Sequence, residues 1–200
     1  RRSEFYLTRN WVFPVFYFNW MISSKEAKRG GGEQNTMSKY LDESDSDDGG
    51  EVKVMDEATR TEAINAMNLL KEDGNNKFKE GDYEEALKSY TEGVNALKSA
   101  GFKKEMEMSV ILLNRSAAYL ALKRYVPALY DANVAGEIDT DNWKAFWRQG
   151  VALMSMAKKS FRCKQALEAF NKCMGCSNLP EAKKKDIADY VRKAKRTLEE

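Results

Sequence analysis

Histidine is absent from the chain, and only three prolines and three cysteines occur among its 200 residues. The first absence removes Ser–His and Cys–His nucleophile systems, histidine acid–base chemistry and histidine-ligated zinc. The scarcity of proline leaves long stretches free to run as uninterrupted helix. Cys163, Cys173 and Cys176 are odd in number and clustered late, which is no disulfide framework and points to a reducing, cytoplasmic setting. Cys173-Met174-Gly175-Cys176 has C-x-x-C spacing. Three cysteines without histidine do not make up the usual four ligands of a structural zinc. A thioredoxin-like site needs a strand before the motif, and the pattern there is helical. The cysteines are read as small packing residues. No metal, cofactor or catalytic residue is assigned, and the chain is read as not an enzyme.

The net charge of +2 conceals a split: residues 1–100 carry 14 Lys+Arg against 19 Asp+Glu, and residues 101–200 carry 19 against 12. So mild a balance does not mark a nucleic-acid binder. The basic runs Lys183–Lys185 and Arg192–Arg196 are read as solvent-facing charge on a helix, so no nucleic-acid partner is expected.

Residues 1–36 read as an aromatic-rich leader, non-native or disordered, with 8 of the 22 aromatics of the chain between Phe5 and Trp20. The apolar run Trp11–Ile22 spans 12 residues, short of the roughly 20 that a membrane helix needs. A weak membrane or partner anchor is the sharper alternative for it. Residues 37–55 form an acidic disordered linker, with five acids in the seven residues 42–48, too polar to offset the entropy of ordering.

From Asp56 onward Ala, Leu, Lys and Glu dominate, and apolar residues recur three and four apart, as in Leu87, Tyr90, Val94 and Leu97. No alternating strand pattern appears, so the fold class is all-α. Gly74, Gly81, Tyr83, Ala86, Tyr90 and Gly93 stand at offsets that recur in Ser116, Tyr119, Tyr125, Ala128 and Ala135, and again in Gly150, Leu153, Phe161, Ala166, Phe170 and Cys173. Ser116 to Gly150 is 34 residues. The pattern resembles the tetratricopeptide repeat, a pair of antiparallel helices that stacks into an α-solenoid. Small residues let the two helices approach while the tyrosines fill the space between them. Three repeats are expected at about 67–100, 109–142 and 143–178, within a domain covering 56–200. A capping helix at about 179–199, carrying Ile187, Tyr190, Val191, Ala194 and Leu198, would close the last open face. Gly74 to Ser116 is 42 residues, eight over the period, and the third repeat is four longer between Gly150 and Ala166. The proline that usually closes each repeat is missing; Thr140 stands at that position.

Five residues form a constellation. Lys71 and Asn75 are one turn apart on the first helix of repeat 1, Asn114 lies on that of repeat 2, and Lys144 and Arg148 are one turn apart on that of repeat 3. Singly each reads as solvated surface. Together they resemble the dicarboxylate clamp of co-chaperone tetratricopeptide domains. The resemblance implies a non-catalytic adaptor that binds the C-terminal Glu-Glu-Val-Asp of cytosolic heat-shock chaperones, of the 70 and/or 90 kDa class. A terminal aspartate offers two carboxylates, matched by cations at Lys71, Lys144 and Arg148 and neutral donors at Asn75 and Asn114. Phe78, Ala117 and Ala121 extend along the same faces as an expected pocket for the apolar residue of the ligand; Phe78 reads equally as core. Many family members hold a further lysine where Ala121 stands, so the choice of chaperone class stays open. Two other readings use the same clamp: a membrane-tethered import receptor anchored by Trp11–Ile22, and the docking domain of a larger enzyme.

Overall fold

Asp56 starts the first helix because its carboxylate accepts the N–H of Thr59 at 3.1 Å, satisfying a donor that has no partner within the helix. The computed structural model describes residues 56–157 and 160–199; the leader 1–36 and the acidic linker 37–55 lie outside the described residues. Among the described residues seven helices and no strand occur: α1 Glu57–Glu80, α2 Tyr83–Ser99, α3 Met106–Ala121, α4 Tyr125–Ile138, α5 Trp143–Ser155, α6 Ser160–Gly175 and α7 Glu181–Glu199. Each helix packs on the next, and α1, α3 and α5 also touch one another in sequence along one side. Three helical hairpins followed by a seventh helix make the all-α architecture read from the sequence.

The turns of the first two hairpins are built by left-handed residues. Gly81 (φ 87°) ends α1 with its N–H on Phe78 O at 3.2 Å, and Asp82 N–H bonds Lys77 O at 3.0 Å. These are the two bonds of a Schellman cap. Asp82 then caps α2 by accepting from Glu85 N–H at 3.2 Å. Lys123 occupies the same repeat position after α3 and takes the same conformation (φ 58°), with Lys123 N–H on Leu120 O and Arg124 N–H on Tyr119 O. Pro127 lies in the first turn of α4, where a missing N–H leaves no broken bond.

The eight residues by which repeat 1 exceeds the period resolve into three places. Compared with α4 and α5, helix α2 runs three residues further, the connection 100–105 is two longer, and α3 begins three residues earlier relative to its small residue. A second Schellman cap at Gly101 (φ 72°) turns the chain there. Phe102 is buried in the core and stacks under the Arg60 guanidinium, whose carbon lies 4.2 Å from the ring centroid. In the third repeat α6 begins three residues early and the connection before it is one longer, which accounts for the four extra residues there.

Close approach of the paired helices explains the glycines. A Cβ on Gly74 would stand 2.5 Å from Cε1 of Tyr90, and one on Gly150 would stand 2.3 Å from Cε1 of Phe170. In repeat 2 the same two positions hold Ser116 and Ala132, a slightly larger residue facing a much smaller one. Cys163, Cys173 and Cys176 are free and buried. Cys173 Sγ donates to Trp143 O at 3.2 Å, and burial pushes its thiol up to about 12, so it is an inert packing residue. The seventh helix closes the array through Ile187 and Ala194, both buried, and through Tyr190, whose ring lies 4.8 Å from Trp147 and 5.5 Å from Phe170.

Candidate carboxylate-binding groove

The first helices of the three hairpins, α1, α3 and α5, carry all five residues of the constellation. On α1, Asn75 follows Gly74 and is held by two donors. Tyr90 Oη donates to Asn75 Oδ1 at 2.8 Å, and Asn114 Nδ2 from α3 donates to the same oxygen at 3.2 Å. With both acceptor positions of that oxygen taken, the N–H groups of Asn75 remain for an outside acceptor. Lys71, one turn earlier, donates to the neutral Asn68 Oδ1 at 2.7 Å, which leaves its charge unmatched.

Asn142 caps α5 by accepting from Lys144 N–H at 3.1 Å, which fixes Trp143 and Lys144 in the first turn. Arg148 follows one turn later. Its Nη1 is shielded from solvent and has no hydrogen-bond partner. Burial pulls the Arg148 guanidinium down to about 10, partly opposed by the Tyr90 hydroxyl beside it. The same burial pushes Tyr90 up to about 12. At neutral pH Arg148 is therefore a charged group without a counter-charge. The residue as a whole is half-buried, but a guanidinium nitrogen shielded from water normally has a partner; elsewhere in the fold Arg115 has one in Asp131, with two bonds of 2.8 Å. Among the described residues none of Lys71, Lys144 and Arg148 is in an ion pair. Three unmatched cations and an oriented amide pair on one set of helices suit a dicarboxylate.

Lys144 and Arg148 open onto a cavity of about 310 Å³ lined also by Ala117, Leu120, Trp143, Trp147 and Lys183. Of the three pocket residues expected from the sequence, Ala117 lines this cavity. Phe78 instead packs edge-on against Tyr83, with ring centroids 5.0 Å apart, and Ala121 is exposed at the end of α3. Reading the sequence missed Trp143, Trp147 and Leu120 as groove walls and Tyr90 as the partner of Asn75. Lys183, read as solvent-facing charge, is exposed and also borders this cavity. The available signal for the tryptophans was their i,i+4 spacing, in register with Lys144 and Arg148 one position on.

No protein-family model matches the chain. The rat RNA polymerase II-associated protein 3 is 32% identical over 126 residues, covering 63% of this chain, which itself spans 16% of that protein. A solved structure of the first tetratricopeptide domain of Spaghetti (RPAP3), bound to the HSP90 peptide SRMEEVD, matches with a TM-score of 0.56 and 26% identity, covering 68% of this chain and 96% of that one. The crystal structure of the Sgt2 tetratricopeptide domain from Aspergillus fumigatus matches with a TM-score of 0.53 and 30% identity, over 66% of this chain and 79% of that one. Helix order, repeat positions and these likenesses agree: the chain belongs to the tetratricopeptide repeat family.

Proposed function

We propose that residues 57–199 form a non-catalytic adaptor module that binds the C-terminal Glu-Glu-Val-Asp of heat-shock chaperones of the 70 and/or 90 kDa class through Lys71, Asn75, Asn114, Lys144 and Arg148. The observation that carries this reading is the solitary Arg148, with Nη1 buried and unsatisfied beside Tyr90. A fold that keeps a charge in that condition stabilises whatever anion completes it. The side-chain and terminal carboxylates of a last aspartate supply two acceptor groups for Arg148, Lys144, Lys71 and the free N–H groups of Asn75. Each well-formed bond to a charged group contributes about 1.5–3 kcal/mol. Against the loss of freedom of a short peptide this gives a complex of roughly micromolar strength, near −8 kcal/mol. The solved relative holding SRMEEVD supports the same ligand class.

Specificity follows from geometry rather than from charge alone, because an internal acidic segment has no second carboxylate at its end. The deciding experiment is titration of a labelled Glu-Glu-Val-Asp peptide as free acid and as C-terminal amide. The free acid binds at least tenfold more tightly, and Lys144→Ala or Arg148→Ala removes that difference. Equal binding of the two peptides overturns the proposal.

A further inference from the structure

Lys183 stands in the first turn of α7 and lines the same cavity as Lys144 and Arg148. No residue of the five-membered constellation comes from α7, so this lysine enters the groove from a separate element. Its only ion-pair partner among the described residues is Asp186, one turn away at 3.2 Å, with both side chains about half exposed (53% and 54%). Such a surface pair holds its members weakly. Trp143, Trp147 and Leu120 line the cavity together with Lys144, Arg148 and Lys183. The cavity is open to solvent, so attraction between Lys183 and an incoming carboxylate is screened by salt.

The groove is thus asymmetric. Toward α1 it presents Lys71 with the neutral pair Asn75 and Asn114, and toward α7 it presents Lys144, Arg148 and Lys183 together with two tryptophans. We infer that Lys183 is a specificity-determining residue that receives a side-chain carboxylate located upstream of the terminal dicarboxylate of the bound peptide, so that the capping helix reads sequence as well as closing the core. The inference rests on the proposed clamp, which fixes the end of the ligand. The chain of an extended peptide advances about 3.3 Å per residue, so a peptide that ends at Arg148 and Lys144 and continues through the cavity they share with Lys183 brings an upstream side chain to that lysine. A peptide with acids before its last residue gains a third charged contact there; a peptide with neutral residues at those positions does not.

The test uses the full chain and two acetylated free-acid peptides, Glu-Glu-Val-Asp and Gln-Gln-Val-Asp, which share the terminal dicarboxylate. Lys183→Gln weakens binding of the first three- to fivefold at low salt and leaves the second unchanged. Lys183→Glu widens the loss for the first. The Gln variant is exposed and leaves the melting temperature where it was, so a folding defect does not imitate the result. If Lys183→Gln weakens both peptides alike, or neither, the inference is overturned. If the wild-type chain binds the acid and amide forms of Glu-Glu-Val-Asp equally, the clamp falls and Lys183 with it. A clamp that distinguishes acid from amide while Lys183→Gln binds as wild type overturns the role of Lys183 alone.

Discussion

Tyr90 donates its hydroxyl hydrogen to Asn75 Oδ1 at 2.8 Å while its ring lies against Gly74, the residue before Asn75 on α1. One side chain of the second helix therefore sets both the spacing of the hairpin and the orientation of a ligand-facing amide. Tyr90→Phe keeps the ring and removes the donor. Peptide affinity falls about five- to tenfold, the counterpart of about 1–1.4 kcal/mol, as Asn75 loses the bond that holds its oxygen inward. Isothermal titration reads the affinity, and a thermal melt shows a smaller change in stability. An unchanged affinity removes Tyr90 from the site.

Arg148 is the residue where binding and stability oppose each other. Replacing it with Met keeps much of its stem packing and removes a half-buried guanidinium whose Nη1 is shielded from solvent without a partner. The ligand-free domain gains about 1 kcal/mol or more, seen as a higher midpoint in urea, while binding of the free-acid peptide disappears. A variant that loses stability shows that the guanidinium is not isolated in solution.

Lys123 takes a left-handed conformation at the position where repeat 1 has Gly81. A side chain there costs about 1–2 kcal/mol, part of which a glycine returns through the freedom of its unfolded chain. Lys123→Gly stabilises the domain by about 0.5–1 kcal/mol, and Gly81→Ala destabilises it by about 1 kcal/mol. Paired denaturation curves check both signs.

Gly150 has no room for a methyl group, since its Cβ would meet Phe170 at 2.3 Å. Gly150→Ala destabilises by about 2–3 kcal/mol through overpacking. Adding Phe170→Leu recovers part of that loss, so the double variant is more stable than the sum of the single effects. Strict additivity in the cycle contradicts the contact.

The binding curve is flat in mid-range pH. The chain has no histidine, and the Arg148 value, pulled to about 10 by burial, leaves it protonated throughout. Because the folded value lies below the usual one for a base, its cost to the free fold is fully present at pH 7 and is relieved only as the pH rises through 10. Bound carboxylates favour the protonated form, so affinity varies less than twofold from pH 6 to 8.5 and drops above about 10. Titrations at pH 7 in two buffers of different ionisation enthalpy give the same heat; a difference means a titrating group was overlooked.

The repeat positions were legible because spacing alone fixes which residues face each other across a hairpin: Gly74 with Tyr90, and Gly150 with Phe170. The surplus of eight residues was also countable, but its division among α2, the connection and α3 depends on where Gly101 ends a helix and where Phe102 finds the core. Asn75, Asn114, Lys144 and Arg148 could be placed on shared helices by periodicity. Tyr90 looked like filler, because the direction of its hydroxyl is set by packing on α1 and leaves no trace in spacing. Lys183 is the solvated charge it looked like, but its place at the edge of the groove was not legible, because the rotation of a capping helix is decided by how Tyr190 seats on Trp147 and Phe170.

That seat has an optical consequence. Trp147 lines the groove on one side and touches Phe170 and Tyr190 on the other, with centroid separations of 5.7 and 4.8 Å. Its indole emission therefore responds to two events at once, arrival of a ligand and detachment of the last helix, and a quenching agent separates them. Ligand shields the ring from the quencher, whereas loss of α7 opens it. With Trp11, Trp20 and Trp143 all replaced by Phe, Trp147 is left as the one indole of the chain, an unlabelled gauge of occupancy and integrity at a single side chain.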